Sequence, residues 1–158
     1  MDRNELIMLN TYKLEALKQK LKPITDWDDV KRNTLIFNEA DNNIYNINKF
    51  ITVDKEDKVV TYENREGKGY NYSSSDWYYY DECIVDEVNE YWTPKLWEVC
   101  DHREDYQCDR WLFIACNEEH LLSCWNKEQR DNLSYDEFTE KYDLSCISEV
   151  GDFNIKVE

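Results

Sequence analysis

Residues 73–94 read SSSDWYYYDECIVDEVNEYWTP: six carboxylates, six aromatic rings and no lysine or arginine. Whether this stretch is a strand or a helix decides how the middle of the chain is organised. At 100° per residue, Trp77, Tyr80, Ile84, Val88 and Tyr91 share one arc, with Val85 and Trp92 at its edge. Glu82, Asp86 and Glu90 then stand together on the opposite side. Read as a strand, both faces are mixed. The β-propensity of residues 77–80 pulls the other way, but the spacing predicts a helix over 76–92, capped by Ser75 or Asp76 and limited by Pro94.

Working outward, residues 4–22 predict an amphipathic helix. Ile7, Leu14, Leu17, Leu21 and Ile24 form its stripe, Leu6 and Leu9 widen it, and Pro23 stops it. Short strands are predicted at 34–37, 44–47, 50–53 and 59–62, with a polar loop at 54–58 and a turn at 66–69. Residues 110–116 predict a buried strand. Residues 118–130 predict a helix with Leu121, Leu122 and Trp125 inward. Ser134 and Glu137 form a capping box that opens a short helix reaching Tyr142. Residues 153–157 alternate and predict a closing edge strand. The expected class is α+β: a single domain over residues 1–158, with an N-terminal amphipathic helix and an antiparallel sheet carrying helices on one face. Three glycines and two prolines among 158 residues argue against an interdomain linker.

The formal net charge of −16 is unevenly placed. Residues 1–68 carry 13 acids and 12 bases, whereas residues 69–158 carry 22 acids and 7 bases. This acidic C-terminal portion argues against direct nucleic-acid binding, because each phosphate contact needs a cation. It favours a cationic protein partner. On the predicted helix, Glu82, Asp86 and Glu90 recur every four residues, about 6 Å apart at 1.5 Å rise per residue. That spacing approaches the phosphate repeat of one nucleic-acid strand. The candidate contact residues are Glu82, Asp86, Glu87 and Glu90, a second cluster of Asp101, Glu104 and Asp105, and the aromatic anchors Tyr78, Tyr79 and Trp92. The bland alternative is a solvated acidic face.

Other chemistry is thin. Cys100-x-His102 and His120-x-x-x-Cys124 supply four zinc-ligand types, but the first spacing is unusual and no Cys-x-x-Cys occurs. The expected reading is six reduced thiols, with no metal, no cofactor and no catalytic set. Gly67-Lys-Gly69 lacks the length and ending of a phosphate-binding loop. The sequons at Asn71 and Asn132 are read as coincidences. The N-terminus shows no signal peptide and no segment approaches a membrane span, so a cytoplasmic protein acting away from membranes is expected.

Small size, strong acidity and abundant Tyr and Trp resemble phage-encoded inhibitors of host defence, the anti-CRISPR proteins above all. The resemblance lies in composition. It implies a non-enzymatic, stoichiometric protein that blocks a CRISPR effector nuclease inside a bacterial host cell. Two alternatives remain: an immunity protein that neutralises a nuclease toxin, and a small enzyme using a Cys/His or carboxylate site.

Overall fold

The computed structural model describes residues 2–101 and 109–149. The chain divides into two compact units, Met1–Glu90 and Tyr91–Glu158. The class is α+β, with an N-terminal helix and two antiparallel sheets.

In the first unit, α1 spans Arg3–Lys20. Asp2 caps it: its carboxylate accepts from the Glu5 amide while the Glu5 side chain returns to the Asp2 amide. Leu21 leaves the helix in an extended conformation ahead of Pro23. Only Leu9 and Leu17 of α1 are buried, and the predicted stripe residues Leu6 and Ile7 are exposed. A short 3-10 turn at Trp27–Asp29 leads into β1 (Leu35–Asn38), β2 (Asn48–Asp54), β3 (Val59–Asn64), β4 (Gly67–Tyr72) and β5 (Trp77–Tyr79), then α2 (Glu82–Tyr91). The five strands lie in the order β4-β3-β2-β1-β5. Val30, Ile36, Phe50, Val60 and Trp77 make the core. Trp27 stacks on Phe50 and meets Trp77 edge-on, at centroid separations of 5.6 and 5.7 Å.

The expected helix over 76–92 is therefore two elements. Residues 77–79 are a strand because β1 offers them a partner: Ile36, Phe37 and Asn38 face Tyr79, Tyr78 and Trp77. On the other side of β5, the Ile24 amide donates to the Trp77 carbonyl (2.8 Å) and the Tyr79 amide to that of Lys22 (2.9 Å). The cap moves accordingly from Ser75 or Asp76 to Asp81, whose carboxylate accepts from the Cys83 amide at 3.0 Å.

Two further expectations change. Residues 44–47 are a turn, not a strand. The Asn43 side chain accepts from the Tyr45 amide and its carbonyl from the Asn46 amide, a local closure that competes with strand formation. The turn expected at 66–69 is tighter: Asn64 pairs with Gly67 across Arg65 and Glu66, and Gly67 takes φ 112°, which only glycine adopts without strain.

A polar network reaches the Asn64 side chain at this turn. Asp41 accepts from the Asn38 amide (2.9 Å) and from the side chains of Asn46 (2.8 Å) and Asn48 (3.0 Å). Asn48 is linked on to Asn64, and Asn71 to Asn38. Burial pushes the Asp41 carboxyl up, and the three donors oppose it without cancelling it. The native state thus holds this proton more tightly than the unfolded chain. Its stabilising contribution is complete at low pH and is lost as pH rises from the ordinary carboxylate value through the raised one. The stability of Asp41→Asn relative to wild type should therefore increase as pH is raised from the ordinary carboxylate value through the raised one, then level off. Urea denaturation across that range checks it; a flat or opposite difference overturns the assignment.

The second unit contains β6 (Lys95–Asp101), β7 (Arg110–Ala115), α3 (Glu118–Gln129), α4 (Tyr135–Lys141) and β8 (Tyr142–Glu149), with sheet order β7-β6-β8. Helices α3 and α4 pack on one face of this sheet. Asn117 caps α3, and the expected Ser134–Glu137 capping box opens α4. Trp97, Val99, Phe113, Leu121, Trp125 and Phe138 are buried together. Strand β7 is buried on one face only, since Leu112 and Ile114 are exposed. The sequence reading missed β6 and β8, and the edge strand it placed at 153–157 lies outside the described residues.

Candidate functional site

Helix α2 carries the predicted carboxylate row. Val85 and Val88 are buried, while Glu82, Asp86, Glu87 and Glu90 are exposed on its other side. The helix opposes its own charge pattern. Carboxylates at i and i+4 repel, at a cost of about 0.2–0.5 kcal/mol per pair. Glu87 and Glu90 also sit in the C-terminal turns, where the helix dipole favours cations and no basic residue is present. Burial of Val85 and Val88 and the Asp81 cap offset these costs.

Glu87 pairs with Lys20 of α1 at 3.3 Å, with both groups exposed. A pair of that kind contributes at most ~1 kcal/mol and yields readily to a competing cation. Glu82 and Asp86 make no ion pair with the described residues. Their field reaches Tyr80: burial first, and then the carboxylates of Glu82 and Asp86, push its phenol up. Tyr45 also acts on this phenol and is itself exposed, whereas Tyr80 is half-buried.

The predicted aromatic anchors are placed differently. Tyr78 is 9% exposed, tilted against Phe37 at 6.5 Å in the β1–β5 pairing. Trp92 is also 9% exposed. Both are buried because strand pairing and packing claim their rings, so neither is an available contact residue. Tyr79 is half-buried, with the Lys22 ammonium 5.6 Å from its ring centre. Tyr80 is half-buried like Tyr79, and Tyr45 is exposed. Tyr45 was missed because its segment was read as a strand; the Asn43 turn that presents it was the available signal.

The second predicted cluster belongs to the other unit. Asp101 ends β6 opposite Tyr142 and is half-buried. Glu104 and Asp105 lie outside the described residues. So does His102, one of the four zinc-ligand candidates. The Cys100 thiol donates to Glu98, and Nδ1 of His120 accepts from the Cys116 amide. Among the described residues, no three His, Cys, Asp or Glu side chains come together as a metal set.

A shallow cleft of about 460 Å³ in the second unit is lined in part by Tyr91, Lys95, Trp97, Cys116 and Glu118. Its chemistry is already engaged. The Cys116 thiol donates to the Trp92 carbonyl, Lys95 donates to the carbonyls of Thr93 and Cys116, and Glu118 bonds the Tyr135 hydroxyl. The Cys116 thiol thus donates to a backbone carbonyl, and the His120 imidazole accepts from a backbone amide. No helix among the described residues is long and apolar enough to cross a membrane.

Comparison of the chain with protein-family models, curated proteins and solved structures finds no match in any of the three.

Proposed function

We propose that this protein is a stoichiometric inhibitor that binds a cationic surface of a nucleic-acid-processing host defence enzyme, a CRISPR effector nuclease above all. The observation that carries this reading is the exposed row on α2. Glu82 and Asp86 make no ion pair with the described residues, on a helix that is locally destabilised by their charge. A row repeating at about 6 Å per four residues can occupy a groove that otherwise receives phosphates. The exposed Tyr45 and the half-buried Tyr80 offer aromatic contact area on the same unit. In this role the protein works in the bacterial cytoplasm, without cofactor, catalysis or direct contact with nucleic acid.

Capture from host lysate on the immobilised full chain, with mass spectrometry of the bound protein, tests the proposal. The expected result is an effector nuclease, retained at low salt and released as ionic strength rises, because surface charge pairing is screened. Purified inhibitor should then block cleavage at a one-to-one ratio. Capture of a cognate toxin nuclease instead identifies an immunity protein. Capture of nothing leaves the row as a solvated face and sinks the inhibitor reading.

A further inference from the structure

The first sheet has two edges, and they are treated differently. On β5, the Ile24 amide and the Lys22 carbonyl occupy the outer backbone groups of Trp77 and Tyr79. On β4 some of the outer groups meet no described residue. The Ser73 amide donates to the Lys58 carbonyl at 2.8 Å, which sets the phase of the β3–β4 ladder. Hydrogen-bonded pairs alternate in an antiparallel ladder, so Val60·Asn71, Tyr62·Gly69 and Asn64·Gly67 are the bonded pairs. Lys68, Tyr70 and Tyr72 therefore turn their backbone groups outward. Tyr72 is already served: its amide donates to the Asn71 side chain (2.8 Å) and its carbonyl accepts from the Trp77 indole (2.9 Å). That leaves the N–H and C=O of Lys68 and Tyr70, which no described residue bonds from outside the hairpin.

The side chains agree. Tyr70 and Tyr72 are 69% and 65% exposed. Residues 67–75 hold one lysine and no acid, in a chain of net charge −16. An edge that is open, aromatic and free of carboxylates lacks most of the devices that keep edge strands apart.

We propose that a second copy of this chain docks here, β4 against β4, antiparallel about a two-fold axis at Gly69. In that register Lys68 of each copy lies opposite Tyr70 of the other. All four open groups of each copy are used, giving four hydrogen bonds. Each Lys68 ammonium comes beside a Tyr70 ring, a favourable cation–π pair. The closest approach, about 4.5 Å between Cα atoms of a non-bonded pair, falls on glycine against glycine. Glu66 meets Tyr72, so no like charges face one another. Shifting the axis to Tyr70 would instead bring Lys68 against Tyr72, whose groups are already occupied. The open edge is thus complementary to itself, which is what a closed two-fold interface requires.

The salt response separates this association from target binding. Two chains of charge −16 repel, so dimerisation tightens as salt rises, whereas binding of the α2 row to a cationic surface weakens. Sedimentation equilibrium of the full chain at low and high salt should show a concentration-dependent dimer that is favoured by salt. Tyr70→Pro removes an outward N–H, at a strand edge where proline is tolerated. Lys68→Glu removes the cation and leaves the backbone intact. Each should raise the dimer Kd about tenfold or more, with the circular dichroism spectrum unchanged. Should Tyr70→Pro fail to fold, Lys68→Glu decides alone. A wild-type chain that stays monomeric at high concentration and high salt overturns the proposal, as does a dimer indifferent to the substitutions.

Discussion

Changing Glu82, Asp86 and Glu90 together to lysine should lower affinity for the target nuclease by about a hundredfold or more and leave the fold intact. Each reversal converts an attraction of up to ~1 kcal/mol at an exposed site into a repulsion of similar size. Three such changes on one helix face fall on the same cationic surface. The fold should survive because all three side chains are exposed, while Val85 and Val88 keep α2 packed. Like charge at i, i+4 is retained, so that repulsion is unchanged in size. Lysine is disfavoured at position 82, in the first turn, and favoured at position 90, near the C-terminus, so the dipole effects oppose one another. Net stability should move by no more than ~1 kcal/mol. Titration calorimetry at two ionic strengths, with circular dichroism as the control, reads both quantities. Unchanged affinity would remove the row from the interface.

Trp125→Ala should cost about 3–5 kcal/mol. Trp125 is 2% exposed, and its ring lies 5.0 Å from Trp111, 5.8 Å from Phe113, 5.5 Å from Phe138 and 4.6 Å from Tyr142. Those partners come from β7, α4 and β8, so one side chain joins three elements of the second unit. Truncation leaves a cavity lined by rings too large to close over it. The indole N–H to Asp131 is a smaller loss, since that carboxylate is exposed and returns to water. Urea denaturation followed by near-ultraviolet circular dichroism, which reports these packed rings, measures the effect. A loss under ~1 kcal/mol would mean the aromatic cluster is not the core of this unit.

The helices were largely legible. For α1, α3 and α4 the signals are local: a side chain that caps the first turn, apolar residues at helical spacing, and a proline or a polar turn beyond the end. The α2 row was legible for the same reason, because Glu82, Asp86 and Glu90 follow from helical geometry once the helix exists. Strands β6 and β8 were not legible. LWEVC and YDLSC carry no turn signal between them to mark a pair, and although β6 also meets β7 ten to twenty residues on, β8 pairs with it from more than forty residues away. Pairing at that separation depends on what else the chain buries, which a window of neighbours does not contain.

The sequence by itself determined the charge segregation, the α+β class and the presence of an anionic helix face, because charge and helical period are properties of adjacent residues. Only the tertiary structure decided which aromatic rings remain at the surface. Tyr78 and Tyr80 are two residues apart with the same side chain. The first is buried in the pairing with Phe37, and the second is half-buried, with Glu82 and Asp86 acting on its phenol. That pairing comes from β1, forty residues earlier, whose backbone groups needed a partner on that side and took Trp77–Tyr79 into the sheet, with the Tyr80 amide also donating to the Leu35 carbonyl.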